Sequence, residues 1–288
     1  MYSANFDYYR PTTLNEAVEL LKTKSGAKLL AGGHSLIPAM KLRAANPAAL
    51  VDISRISGLS GISKDGGNLK IGALTTHTAV ASSDLVKAEC GLLAEAAAHI
   101  GDQQVRNKGT LGGSLAHADP AADYPTAMIA LGATMTAMGP KGAREIAAEN
   151  FFTGLFTTAL AADEVLTSVS VPVYGKTAGG CYMKHRHPAS SYAVVGVAAM
   201  VMMSGGKCNG ARVVVGGVTG NPVRVKAAED ALTGSTADEA ACAAAAAKVA
   251  AALKDPLSDV YASGEYRVHL ATVLAKRALM TAAGRAKS

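Results

Sequence analysis

Two glycine pairs constrain this chain more than any other feature. The first lies in residues 29–36, Leu-Leu-Ala-Gly-Gly-His-Ser-Leu, between a short apolar strand pattern and a helical pattern, and the second in residues 110–114, Thr-Leu-Gly-Gly-Ser. Adjacent glycines let a backbone adopt positive φ angles and approach a ligand closely. Their N–H groups can then bind an anion, helped by the N-terminus of a following helix. Taken together the two segments suit a pyrophosphate, although each alone is more typical of a tight turn.

The composition predicts a folded chain that builds its sites largely from backbone atoms. Hydrophobic residues make up 49% of the 288 residues and charged residues 17%, which excludes intrinsic disorder. The chain holds 30 glycines, no tryptophan and only 5% aromatic residues, so large side chains are scarce. The net charge of +6 is scattered, without the clustered basic residues and stacking aromatics of a nucleic-acid-binding protein.

Several common cofactor and metal motifs are missing. No G-x-G occurs, so the dinucleotide fingerprint G-x-G-x-x-G is absent. No two cysteines form a C-x-x-C pair, which argues against a zinc ribbon or an iron–sulfur cluster on this chain. Free thiols, no signal-peptide pattern and no apolar run of about 20 residues predict a cytoplasmic protein without a transmembrane segment.

Local patterns predict an alternation of helices and strands. Thr13 and Glu16 form a capping box that opens a helix over residues 14–24, followed by a strand, a helix and a second strand. A hairpin turns at Asp65-Gly66-Gly67. Residues 101–123 are expected to form a polar loop, residues 237–253 an alanine-rich helix, and residues 265–283 a terminal helix.

Four longer segments resemble one family. They are residues 31–43 (Ala-Gly-Gly-His-Ser-Leu-Ile-Pro-Ala-Met-Lys-Leu-Arg), 104–123, 182–197 and 265–278. They resemble the flavoprotein medium subunits of carbon monoxide dehydrogenase-type enzymes, which are molybdenum hydroxylases related to the flavin domain of xanthine dehydrogenase. Motif order, spacing and length fit over nearly the whole chain.

This resemblance implies an α+β fold in two parts. A two-lobed FAD-binding domain of the PCMH/VAO type would cover residues 1–176, with lobes of about 1–57 and 58–176. A C-terminal α/β domain of the carbon monoxide dehydrogenase flavoprotein type would follow over residues 177–288 and close over the flavin.

The resemblance also assigns cofactor contacts. Residues 29–36 would wrap the pyrophosphate and ribityl chain, residues 100 and 101 flank the flavin, and residues 110–114 form a second phosphate loop. Asp123 would bind sugar hydroxyls, Leu166 lie near the adenine, Lys184 contact the flavin and Tyr192 cover its ring. The cofactor-binding residues predicted in this way are Leu29, Leu30, Ala31, Gly32, Gly33, His34, Ser35, Leu36, Ile100, Gly101, Thr110, Leu111, Gly112, Gly113, Ser114, Asp123, Leu166, Lys184 and Tyr192. No catalytic side chain or metal ligand is expected.

The residue types alone leave other roles open. Asp123 could instead cap the helix that follows it, Lys184 could lie on a solvated surface, and Tyr192 could belong to the core. Ser114 stands where relatives often carry Asn or Asp.

The family resemblance further implies partners. A large subunit would hold the molybdopterin cofactor and a small subunit the [2Fe–2S] clusters, in a dimer of heterotrimers that could lie against the inner face of the membrane. Electrons would pass from the iron–sulfur clusters through FAD on this chain to an external acceptor. Two alternatives stay open: a stand-alone FAD oxidoreductase of the same fold, and a cofactor-free assembly protein.

Overall fold

Residues 2–286, which a computed structural model describes, form three main β-sheets and one small two-stranded sheet, with helices packed against them. The first sheet is parallel and builds the N-terminal lobe. Its strands are β1 (Asp7–Tyr9), β2 (Ala27–Leu30) and β3 (Ala49–Asp52), in the spatial order β1-β3-β2, and its helices are α1 (Leu14–Thr23) and α2 (Leu36–Lys41).

The start of α1 confirms the predicted capping box. The Thr13 hydroxyl accepts a hydrogen bond from the N–H of Glu16 at 3.3 Å, and the Glu16 carboxylate accepts one from the N–H of Thr13. The first glycine pair follows the carboxyl end of β2. In parallel sheets this end is where ligands bind.

The second lobe is built on an antiparallel five-stranded sheet. Its strands are β4 (Ile62–Asp65), β5 (Asn68–Gly72), β6 (Thr134–Gly139), β7 (Gly142–Ala147) and β10 (Val165–Pro172), in the order β4-β5-β10-β6-β7. The hairpin predicted at residues 65–67 is confirmed, because β4 and β5 pair across it. A short helix and a two-stranded hairpin lie between β7 and β10: α9 (Ala148–Phe151), β8 (Phe152–Gly154) and β9 (Thr157–Thr158).

Six helices connect β5 to β6. They are α3 (His77–Ser82), α4 (Asp84–Glu89), α5 (Gly91–Ala98), α6 (Gln103–Lys108), α7 (Leu111–His117) and α8 (Asp123–Leu131). The polar loop predicted over residues 101–123 is therefore wrong. Asp102 caps α6 by accepting the N–H of Val105 at 2.9 Å, and Thr110 caps α7 by accepting the N–H of Gly113 at 3.1 Å. Because glycines near these caps are typical of turns, the sequence pattern did not predict the two short helices.

The C-terminal part is an antiparallel sheet covered by helices. Its strands run in sequence order: β11 (Ala178–Arg186), β12 (Ala193–Ser204), β13 (Lys207–Gly216) and β14 (Val223–Arg224). Its helices are α10 (Lys226–Leu232), α11 (Glu239–Ala246), α12 (Val249–Ala252) and α13 (Gly264–Arg285), of which α13 packs on β11 and β12. The single alanine-rich helix predicted over residues 237–253 is split into α11 and α12.

The second lobe and the C-terminal sheet share a hydrophobic core. Every residue of α8 is buried, and this helix packs against β12 and β13. Tyr182, Ala198, Met200 and Val214 of the C-terminal sheet belong to the same core cluster as the second lobe. The architecture confirms the predicted α+β class, and the division at residue 176, which falls between β10 and β11, stays a prediction. Within residues 2–286, no helix combines the length and apolar character that crossing a membrane requires.

Candidate functional site

The first glycine segment leaves its backbone N–H groups free. Gly33 has a φ angle of +74°, and the turn is fixed by a 2.9 Å contact between His34 Nδ1 and the carbonyl oxygen of Gly32. None of the five N–H groups of residues 32–36 donates a hydrogen bond to another atom of the described chain. A partly exposed row of N–H groups before a helix is a ready site for an anion.

The second glycine segment is different, because every N–H of residues 111–114 donates within the protein. The donor and acceptor pairs are Leu111 to the Thr75 carbonyl at 2.9 Å, Gly112 to the Ala73 carbonyl at 2.8 Å, Gly113 to the Thr110 hydroxyl at 3.1 Å, and Ser114 to the Thr110 carbonyl at 3.0 Å. Gly112 and Gly113 lie in the first turn of α7 and have no positive φ. The expectation that both pairs offer free N–H groups and positive φ angles is therefore wrong for the second.

Close packing explains the remaining glycines and joins the two segments. A Cβ on Gly112 would lie 2.5 Å from the Cβ of Ala73. A Cβ on Gly32 would overlap the carbonyl oxygen of Lys108, two residues before the second segment. A Cβ on Gly113 would lie 3.7 Å from the Cβ of Ala31. The structure thus brings the two predicted segments into contact.

Asp123 and Lys184 form a buried ion pair between α8 and β11. Lys184 Nζ lies 2.9 Å from Asp123 Oδ2, and the side chains are 1% and 5% exposed. The Tyr182 hydroxyl donates to Asp123 Oδ1 at 2.6 Å, and Lys184 also donates to the carbonyl of His99 at 3.0 Å. Burial raises the pKa of the Asp123 carboxyl, and the neighbouring Lys184 and Tyr182 oppose this rise.

This pair settles two of the open alternatives. The N-cap of α8 is Ala122, whose side chain makes no capping bond, so Asp123 does not cap the helix. Lys184 is buried, so it does not lie on a solvated surface.

Tyr192 lies beside Ser35 of the first glycine segment. It lies in the turn between β11 and β12, is 40% exposed, and so does not belong to the core. Partial burial and the Asp119 carboxylate raise the pKa of its phenol, and the side chain of Ser35 beside it opposes this. The loop that leads into β12 therefore brings an aromatic ring next to Ser35 of the first glycine segment.

Of three further predicted residues, two lie near the Asp123–Lys184 pair and one lies in the core of the second lobe. Ile100 and Gly101 form the turn between α5 and α6, where Arg106 Nη1 donates to their carbonyl oxygens at 2.9 and 3.3 Å. They follow His99, whose carbonyl accepts from Lys184. Leu166 is 4% exposed inside the second-lobe core, and its predicted contact with adenine stays a prediction.

Sequence reasoning missed two members of the site. Tyr182 lies two residues before Lys184 on the same face of β11, a spacing that the two-residue period of strands could have indicated. His77 is buried, with Nδ1 3.3 Å from the Tyr124 hydroxyl, and a Cβ on Gly109 would lie 2.5 Å from its Nε2. Burial, followed by the charges of His34 and Arg106, lowers the pKa of His77 to about 4. The sequence around His77 does not predict its burial, because its neighbour Gly109 is distant in sequence and contacts it only in the folded chain.

The arrangement fits an elongated anionic cofactor. Free N–H groups suit a pyrophosphate, and the half-exposed ring of Tyr192 offers a surface for a flat aromatic group. The residues that could hold FAD on this side are Gly32, Gly33, His34, Ser35, Leu36 and Tyr192. With such a cofactor bound, the redox chemistry would come from the cofactor itself.

Comparisons with known proteins agree with this geometry. Residues 4–174 match the FAD binding domain in molybdopterin dehydrogenase, and residues 180–282 match the CO dehydrogenase flavoprotein C-terminal domain. The carbon monoxide dehydrogenase medium chain of Afipia carboxidovorans is 40% identical, with 100% of both chains covered. A carbon monoxide dehydrogenase structure from Hydrogenophaga pseudoflava gives a TM-score of 0.96 at 40% identity, with 100% of both chains covered. Quinoline 2-oxidoreductase from Pseudomonas putida gives 0.94 at 36% identity, with 99% of both covered.

Both family models match in the predicted order, and the relatives align with the chain from end to end. The chain therefore belongs to the family of FAD-binding medium subunits of the molybdenum hydroxylases.

Proposed function

We propose that this chain holds FAD with the pyrophosphate on the N–H groups of residues 32–36 and relays electrons through it. The observation that carries this proposal is the row of five N–H groups without a partner in the described chain. Hydrogen bonds to an ionised acceptor are about twice as strong as neutral ones, and the N-terminus of α2 adds a favourable dipole. The pyrophosphate of a dinucleotide would be bound more tightly through both the hydrogen bonds and the dipole.

The other predicted residues have supporting roles in this proposal. The ring of Tyr192 would pack on the flavin and exclude water from one face. The buried Asp123–Lys184 pair would hold the C-terminal sheet against the second lobe, so that Tyr192 stays beside Ser35. FAD supplies the redox chemistry when bound, and the chain binds and orients it. The N–H groups of residues 111–114 are already bonded, so the contacts predicted for this segment would come from the hydroxyls of Thr110 and Ser114.

The electron route requires partners of defined kinds. We propose a large molybdopterin subunit, which oxidises the substrate, and a small [2Fe–2S] subunit, which passes the electrons to FAD on this chain and on to an external acceptor, in a dimer of heterotrimers. The relatives named as medium chains or subunits support a complex of several subunits. The substrate is set by the large subunit, because similar relatives serve enzymes named for carbon monoxide, nicotine and quinoline. Four free, buried thiols fit a cytoplasmic location.

Flavin titration of the flavin-free full-length chain tests the cofactor proposal. FAD should bind at least about a hundredfold more tightly than FMN, which lacks the pyrophosphate, since the N–H row contributes on the order of 3 kcal/mol. ADP should compete with FAD, and AMP should compete much less. Equal affinity for FAD and FMN, or no binding of either with partner subunits present, would contradict the proposal.

A further inference from the structure

Arg267 is a buried arginine outside the cofactor cradle. It lies in the first turns of α13, and only 6% of the residue is exposed. Nη1 donates to the carbonyl oxygens of Val194 and Gly217, both at 2.8 Å, and Nη2 lies 2.5 Å from Asp259 Oδ2. Nε has no hydrogen-bond partner among residues 2–286. Burying a guanidinium group here carries a desolvation cost.

The two carbonyls belong to strand ends that dock on the second lobe. Val194 is the second residue of β12, and Gly217 follows the last residue of β13. At the same ends, the N–H of Ala193 donates to the Ala121 carbonyl at 3.0 Å, and the N–H of Gly217 donates to the Pro120 carbonyl at 2.9 Å. Gly217 has a φ of +79°, and a Cβ there would lie 2.7 Å from the Ala193 carbonyl oxygen. One side chain thus ties together two strand ends that have little room to shift.

Two residues named above lie next to these contacts: Tyr192 beside the start of β12, and Asp123 just after the loop on which the strand ends dock. Tyr192 directly precedes Ala193, and Asp123 follows Ala121 by two residues. We infer that Arg267 is a positioning residue of the flavin site, which fixes Tyr192 beside Ser35 of the first glycine segment without touching the cofactor. This inference rests on the proposed function, because it assigns Arg267 a role in orienting bound FAD.

The directional bonds explain why an arginine occupies this place. A methionine would fill much of the same volume without the desolvation cost, but it would leave the carbonyls of Val194 and Gly217 without this donor. A lysine carries a point charge and lacks the planar fork that reaches two carbonyls and a carboxylate at once. Arginine alone holds Val194, Gly217 and Asp259 in one fixed geometry.

The test compares the visible circular dichroism and FAD affinity of full-length variants. Arg267→Met should bind FAD about tenfold more weakly and change the dichroism of the bound flavin. Arg277→Met is the matched control, since Arg277 is exposed on the same helix. In a Tyr192→Ala background, Arg267→Met should produce at most half of its spectral change, because its effect acts through Tyr192.

The outcomes separate this inference from the proposed function. If the unsubstituted chain binds no FAD, the proposed function fails and this inference fails with it. If that chain binds FAD and Arg267→Met matches Arg277→Met in affinity and dichroism, Arg267 has no positioning role. If Arg267→Met does not fold, the same measurements are made on Asp259→Asn, which alters the exposed carboxylate that Arg267 contacts. A spectral change in the same direction supports the inference, and an unchanged spectrum overturns it.

Discussion

The two glycine segments look alike in sequence and do opposite things in the structure. Residues 32–36 keep five N–H groups without a partner in the described chain, whereas residues 111–114 donate all of theirs to acceptors of the protein itself. Gly33 is required by its positive φ, and Gly112 by the 2.5 Å approach that a Cβ would make to Ala73. The first segment has free N–H groups, as the proposed FAD site requires, and the second packs against the first.

This contrast gives a rule for the whole site. Polar groups that are hydrogen-bonded within the protein contribute to its stability, and polar groups without a partner in the protein are available to bind a ligand. The Asp123–Lys184 pair is the extreme of the first kind, because both side chains are buried and bonded. Substitutions of paired groups should therefore change stability first, and substitutions at the free row should change FAD affinity first.

The largest effect is expected for Lys184→Met. At pH 8 the free energy of unfolding should fall by about 4 kcal/mol, because the carboxylate of Asp123 stays buried without its cation. The deficit should shrink as the pH falls, since a buried Asp123 with a raised pKa takes up a proton in the folded state.

Urea denaturation of the flavin-free chain at several pH values measures this, and Lys226→Met is the control. Lys226 pairs with Asp230 at the same 2.9 Å, but the two side chains are 68% and 66% exposed. Its loss should cost less than about 1 kcal/mol. Equal losses for the two lysines would show that burial of the pair contributes nothing.

Gly112→Val should lower the unfolding free energy of the flavin-free chain by about 3 kcal/mol, because the new side chain overlaps Ala73 in a packed interior. Gly284→Val is the matched control: Gly284 is also helical, it is exposed, and a Cβ there would meet no other atom within 4 Å. Thermal or urea unfolding distinguishes them. A loss no greater than that of the control would contradict the supporting role of the second segment.

Gly33→Val should weaken FAD binding about a hundredfold, or by roughly 2.7 kcal/mol, because valine does not tolerate a φ of +74° and the N–H row must change its course. Its cost to folding should be only about 1 kcal/mol, since the loop is partly exposed and can relax. Gly67→Val, where a Cβ meets nothing within 4 Å and φ is not positive, should bind FAD normally. Unchanged FAD affinity in Gly33→Val would separate the first segment from binding.

His77→Phe should flatten the acid side of the stability profile by about 2 kcal/mol between pH 7 and pH 5. The folded-state pKa of His77 is about 4, below the ordinary value of 6.5, so the unfolded chain binds more protons as the pH falls through this window. The stability is present above pH 6.5 and is lost toward pH 4. Phenylalanine keeps a ring beside Gly109 and does not titrate. Parallel pH profiles for the variant and the unsubstituted chain would exclude this account.

Local sequence patterns predict much of the secondary structure, but they do not predict which N–H groups of the glycine segments have hydrogen-bond acceptors. The Thr13–Glu16 capping box and the hairpin at residues 65–67 depend on neighbours in sequence, and both are confirmed. The partners of Leu111 and Gly112 lie at Thr75 and Ala73, in another part of the second lobe, so no local pattern shows that these N–H groups are taken.

The ion pair illustrates the same limit at longer range. Asp123 and Lys184 are 61 residues apart, and they meet only when the C-terminal sheet docks on α8. The resemblance to a family singled out both residues, while their pairing emerges from the tertiary structure. Arg267 lies inside a matching segment, yet its contact with the end of β12 is invisible in sequence.

Amide hydrogen exchange on the flavin-free chain, with and without FAD, tests the central contrast most directly. The amides of residues 32–36 should exchange at least about tenfold more slowly when FAD is added, because the pyrophosphate takes their free N–H groups. The amides of residues 111–114 should be protected already and change little. Protection gained at residues 111–114, with none at residues 32–36, would contradict the account.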